Sequence, residues 1–242
     1  MPLRYATPSD EAAMVSTCTA AFFDEPLFGP LMHPYRHKYP NDVKIFWHEK
    51  IRQEWKTPSN KIIVATTTEA GNELVVGVAV WQRQGDDEGA KRVEKEWVDI
   101  GPDAFPPLPS TLNRALDPST RTILEDSYPY FSHHWNPSTN SIPRSRNYYL
   151  SLCCVHPLYE RRGFGYELVR WGLDKARDES VHASVLASYN NDPFYLRCGF
   201  DEVVANCTEG EGNPLSEVKG GSILFMWAKG PIEETNDISK RP

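Results

Sequence analysis

The chain has no apolar run approaching the roughly 20 residues that span a bilayer, and its start, MPLRYATPSDEAAM, has no apolar stretch of signal-peptide type. Cysteine is scarce. The five present (Cys18, Cys153, Cys154, Cys198 and Cys207) are an odd number without a C-x-x-C pair, which fits reduced thiols in a cytosolic protein better than a disulfide frame. Positive charge is also in deficit, with 26 Lys and Arg against 33 Asp and Glu, so bulk nucleic-acid binding has no cationic face to work from. The histidine pairs in HPYRH and HHW lack a third ligand and lack H-E-x-x-H spacing, so no metal is expected. There is no internal repeat. These absences lead us to expect a soluble, cytoplasmic protein, monomer or homodimer, with neither nucleic acid nor membrane as partner.

What is present suits one well-packed core: 242 residues, 40% hydrophobic and 12% aromatic. LRYA (3–6) reads as an opening strand, and PSD then supplies capping residues for a helix over 11–23. Val43, Phe46, Trp47, Ile51 and Trp55 form one stripe of a second helix over 42–55. KIIVATTT and ELVVGVAVWQ read as strands joined by a turn at Gly71 and Asn72. Residues 83–147 hold eight of the 20 prolines, which argues against a place in the central sheet. Short helices are expected there near AKRVEKEWV, STLNRAL and STRTILEDS, packed as a lid or subdomain. After YYLSLCCV (a strand) and a helix to about 177 come ASVLAS, a short helix at DPFYLRCG, and strands near Val203 and at SILFMWA. The expectation is a mixed α/β sheet with helices on both faces, one domain over 1–232, and a polar tail from 233 to 242.

The stretch VHPLYERRGFGYELVRWGL (155–173) carries the chemistry. A nearly all-apolar strand runs into a loop with Gly163 and Gly165, then into an amphipathic helix with Val169, Leu173 and Ala176 at helical spacing. Glycines let a ligand approach the backbone, and a helix start offers unpaired N–H groups and partial positive charge, so an anion such as phosphate fits. The loop is no P-loop, since Tyr166 and Glu167 follow Gly165 where Lys-Ser/Thr would stand. Leu168 takes the place of a third dinucleotide-motif glycine, and Ala187 and Ser188 stand where that motif needs an acid.

VHPLYERRGFG resembles the acetyl-CoA-binding motif of the GNAT superfamily of acetyltransferases, in which V-x-P-x-Y runs into Q/R-x-x-G-x-G/A at a helix start. ASYNNDPFYLRCGF is similar to the family's second signature, with Tyr195 four residues ahead of Gly199. YATPSDEAAM and VVGVAVW look like the family's first strand-helix and third strand. The resemblance implies a GNAT-like, mostly antiparallel central sheet flanked by helices, with a long insertion between the third and fourth strands. It implies acetyl-CoA as acyl donor and direct transfer to an amine, here a small primary amine. Transfer to a hydroxyl, to a protein lysine or N-terminus, or a catalytically silent acyl-CoA-binding module are the alternatives.

By that resemblance the strand end Cys153, Cys154 and Val155 would pair with the pantetheine arm. The N–H groups of Arg161, Arg162, Gly163, Phe164, Gly165 and Tyr166 would hold the pyrophosphate, and Asn190, Asn191 and Tyr195 would complete the cofactor site. Tyr195 is the candidate acid for the leaving thiolate: thiols titrate near 8.5 and tyrosine near 10. Glu160 departs from the family's Gln/Arg, and a carboxylate beside a pyrophosphate is unfavourable unless it faces solvent or pairs with Arg161 or Arg162. The fourth strand offers no carboxylate as general base, which leaves Asp24, Glu25, Glu125 or His134 acting through waters. Cys153 and Cys154 lie on an apolar strand and read as small buried hydrophobes rather than nucleophiles. The acceptor pocket is expected from 24–40, 83–147 and 207–221.

Overall fold

The computed structural model describes residues 2–108, 110 and 112–229. In it β1 (Leu3–Tyr5) leads through a tight 3-10 turn into α1 (Glu11–Phe22), followed by α2 (Val43–Trp55), β2 (Asn60–Glu69) and β3 (Asn72–Gln84). The insertion then carries α3 (Glu88–Lys95), α4 (Ile123–Phe131) and a small hairpin of β4 (Ser138–Thr139) and β5 (Ile142–Pro143). β6 (Asn147–Val155), α5 (Phe164–Asp178), β7 (His182–Ser188), α6 (Asp192–Cys198), β8 (Glu202–Asn206) and β9 (Gly220–Met226) complete the chain order. The tail expected over 233–242 lies outside the described residues. Among the described residues no helix is long and apolar enough to cross a membrane.

Seven strands form one sheet in the order β1-β2-β3-β6-β7-β9-β8. Every neighbouring pair is antiparallel except β6 and β7. Helices cover both faces, as expected. On one face α5 and α6 close a core with Phe164, Leu168, Val169, Leu173, Ala176 and Tyr195. On the other, α1 and α2 pack Met14, Cys18, Trp47 and Ile51 over Val64, Val78, Leu152 and Cys154. The insertion belongs to this packing: Ile123 and Phe131 of α4 share an apolar cluster with Ile223 and Phe225 of β9.

Two local expectations are corrected. The β2–β3 turn sits at Ala70 and Gly71, both with positive φ (49° and 82°), and Asn72 already pairs with Glu69. A type I′ hairpin has both central residues left-handed and favours glycine at the second, which is where this placement puts Gly71. STLNRAL forms no helix over 112–116. Asn113 Oδ1 instead accepts from the Ala115 and Leu116 N–H groups at 3.0 and 3.2 Å, while Arg114 grips Asp42 of the α2 entry. Local side-chain bonds here outcompete helical ones.

Candidate functional site

The site starts from one irregularity in β6. The β3–β6 register shifts so that Val80 faces Leu152 and Trp81 faces Leu150, leaving Ser151 as an extra residue. Such a bulge bends its strand. Pairing with β7 ends one residue earlier, at Leu150 and Val185, although β7 continues alongside β9 to Ser188. The two parallel strands therefore part, and β6 from Ser151 to Val155 has a free edge facing the gap.

The strand's alternation decides which groups face that edge. His156 N–H donates to Val76 O at 2.8 Å, toward β3, so Cys153 and Val155 turn their N–H and C=O groups into the gap. Cys154 does not. Its backbone faces β3, and its thiol lies buried 3.6 Å from Cys18 Sγ. Of the three strand-end residues expected to present free backbone, two do so.

Below the gap stands the glycine loop. Glu160 N–H bonds Pro157 O at 3.4 Å and Glu167 N–H bonds Gly163 O at 3.1 Å. Between them the N–H groups of residues 161–166 have no backbone acceptor among the described residues. Left-handed steps at Arg161 (φ 58°) and Gly163 (φ 87°) shape this run, which opens a 15-residue helix with its positive end toward the loop. Phe164 is buried in the α5 core, so only its backbone is on offer. Tyr166 is exposed, and Arg170 reaches its hydroxyl at 3.3 Å. Arg162 is tied down, donating to Leu158 O at 3.2 Å with its guanidinium over the Tyr159 ring, while Arg161 is exposed. Glu160 is exposed and makes no ion pair with either arginine, which matches the solvent-facing case for this departure.

The second signature comes alongside the first. A side chain at Gly165 would meet the Phe194 ring at 3.3 Å, so the start of α5 lies against α6 there. Asn190 takes a left-handed φ of 66° and Asn191 caps α6, its amide on Ser188 Oγ at 2.8 Å; both are exposed above the β7 end. Tyr195 is buried between Phe194 and Phe200. Burial pushes its phenol well above the ordinary tyrosine value, with Cys153 the next influence. Cys153 is likewise raised by burial, and Cys154 by its contact with the Cys18 thiol and then by burial, so neither is a thiolate at neutral pH.

On the far side of the gap lies a cavity of about 800 Å³. Its wall includes Tyr149 and Ser151 of β6, Leu186 to Ser188 of β7, and contributions from the 25–28, 124–136 and 207–221 segments. Parts of all three expected pocket segments thus meet here. Of the four candidate bases only Glu25 lines the cavity. Asp24 is exposed on Arg36 at 2.9 Å, and Glu125 is exposed. Glu25 Oε2 accepts from the Leu27 and Phe28 N–H groups at 3.0 and 2.9 Å. Burial raises its carboxyl above the usual range despite those two bonds. Sequence reasoning missed Tyr149, Ser151 and Trp135. No signal in YYLSLCCV marks them, since Leu150, Ser151 and Leu152 alternate regularly and only the bulge sets Ser151 on the cavity side.

Comparison with known proteins finds acetyltransferases. Residues 127–200 match the acetyltransferase (GNAT) family, a span from α4 through both signatures. An acetyltransferase of Stachybotrys chartarum is 26% identical over 204 residues, 83% of this chain and 80% of the relative. A crystal structure described as histone acetyltransferase HPA2 and related acetyltransferase, from Corynebacterium glutamicum, superposes with a TM-score of 0.58. That likeness covers 95% of this chain and 97% of the other at 16% identity, and it bears on the fold.

Proposed function

We propose that this chain is a GNAT acetyltransferase, the family its residues 127–200 match, and that it moves the acetyl group of acetyl-CoA directly to a primary amine of a small molecule. The observation that carries this reading is the parted β6–β7 pair, open to a donor loop on one side and to a closed-in cavity on the other. Acetyl-CoA supplies an activated thioester. The free N–H run of residues 161–166 would hold its pyrophosphate, helped by the α5 dipole. The free edges of Cys153 and Val155 would pair with the pantetheine amides as a neighbouring strand would. N–H groups on that edge would also steady negative charge gathering on the acyl oxygen. Tyr195, held protonated by burial, would donate to the departing sulfur. Asn190 and Asn191 stand at the β7 end where the cofactor would emerge.

Two measurements test the proposal. Acetyl-CoA should raise the melting temperature, as a ligand selective for the native state must. Thiol release from acetyl-CoA, read colorimetrically, should then depend on an added amine. A thermal shift without release over a broad amine panel would leave a silent acyl-CoA-binding module, and release with alcohols alone would make it an O-acetyltransferase.

A further inference from the structure

The cavity facing the β6–β7 gap is walled by Phe28, Phe131, Trp135, Tyr149 and Leu186, with few charged groups among them. Three charges reach it: Glu25, Lys50 and Lys219. Lys50 is already neutralised by Glu54 at 3.1 Å. Lys219 is exposed, its ammonium over the Tyr189 ring. Glu25 is different. Its Oε2 is fixed by two backbone N–H groups, its Oε1 makes no hydrogen bond, and it has no basic partner among the described residues. A half-buried carboxylate without a counter-ion costs stability unless a ligand supplies the cation. Two charge-assisted bonds holding one oxygen leave the other aimed by a rigid frame rather than by a free rotamer.

Resting on the acyl-transfer reading above, we propose that the acceptor is a primary amine carried on an aromatic or similarly bulky apolar body, with its ammonium docked on Glu25. The ring would bury against Phe131, Trp135 and Tyr149, where removing apolar surface from water favours binding. A cavity of about 800 Å³ holds a body of one or two rings, within the usual range for small-molecule sites. Polyamines fit badly, because one carboxylate answers one ammonium and the remaining charges would be desolvated against aromatic walls. Once paired, Glu25 is also placed to accept the proton the ammonium must lose before the nitrogen can attack: the N–H bond breaks, an O–H bond forms on the carboxylate, and the lone pair is freed. Its raised affinity for protons suits that role.

The test uses the full-length protein with acetyl-CoA and four acceptors: 2-phenylethylamine, spermidine, glucosamine and 2-phenylethanol. We expect kcat/KM for 2-phenylethylamine to exceed that for each of the others by about tenfold or more, a difference of about 1.4 kcal/mol. Glu25→Gln keeps both backbone bonds through its amide oxygen. It should lower kcat/KM for 2-phenylethylamine by about tenfold or more and leave the acetyl-CoA thermal shift unchanged. Spermidine or glucosamine turned over as well as 2-phenylethylamine, 2-phenylethanol matching the amine, or an unaltered kcat/KM in Glu25→Gln would each overturn the inference. So would a normal acetyl-CoA shift with no turnover of 2-phenylethylamine. In those cases the acyl-CoA site stands and only the acceptor assignment falls. Loss of the acetyl-CoA shift in the wild-type protein would instead remove the reading on which the inference rests, and the inference with it.

Discussion

In the proposed reaction Tyr195 would do two jobs with one side chain. Its ring fills the core between Phe194 and Phe200, at centroid distances of 5.1 and 5.7 Å, while its hydroxyl lies among the thiols of β6 and α6. Burial raises the phenol well above its ordinary value, so at neutral pH it keeps a proton to donate. Tyr195→Phe keeps the ring and removes the donor. We expect kcat to fall by about 10²-fold, within the usual range for losing a positioned acid, while acetyl-CoA affinity measured by calorimetry stays the same. A loss of affinity with kcat intact would assign the residue to packing alone.

At the scale of the element, α5 lies against β3 through a glycine. A Cβ at Gly172 would sit 2.1 to 2.5 Å from three atoms of the Trp81 indole. That ring cannot move away: it is fully buried, and its N–H donates to Leu168 O of the same helix at 3.1 Å. Gly172→Ala should therefore cost about 2–3 kcal/mol through overpacking, even though alanine is the better helix former. Thermal denaturation should show a drop of about 4–10 °C for a chain of this size. Helix α5 also carries the loop proposed to bind the pyrophosphate, so the variant is expected to weaken the acetyl-CoA shift too. An unchanged melting temperature would mean that the helix can slide on the sheet.

For the whole molecule, buried carboxylates act in opposite directions as pH falls. Arg4 binds Asp10 with two bonds, at 2.7 and 2.9 Å, and with help from Thr7 lowers it to about 2. A depressed carboxyl contributes stability that is fully present above its unfolded value, near 3.9, and is lost as pH falls through the folded one. Asp42 and Asp87, facing Arg114 and Arg83, follow the same sign. The melting temperature should thus hold from pH 7 to about 5 and fall between about 4 and 2. Asp10→Asn should cost roughly 1–2 kcal/mol at pH 7, screened in part by the exposed face of Arg4, with the difference vanishing near pH 2. Glu25 runs the other way, since its raised value makes ionisation a penalty at neutral pH that protonation relieves. Glu25→Gln should raise the melting temperature at pH 7 by about 1–3 °C, trading function for stability. A lowered value would show that the carboxylate has a partner after all.

The sequence by itself determined the order of the seven sheet strands and of the helices α1, α2, α5 and α6 among them, the glycine loop ahead of α5 and the Tyr195 signature. Each of these is written in local spacing: apolar periodicity, helix caps, and glycines where φ is positive or a side chain would intrude. The turn at Ala70–Gly71 was legible to within one residue for the same reason. Only the tertiary structure decided the rest. That Cys153 and Val155, but not Cys154, face the gap follows from pairing with β3, and the gap itself follows from a bulge at Ser151 that no local preference announces. Gly172 reads as a weak helix position until Trp81 of another strand is seen against it. Glu25 was one of four equal candidates until segments about 100 and 180 residues away folded around it. A cavity belongs to several stretches of chain at once, so its chemistry exists only where long-range packing brings them together.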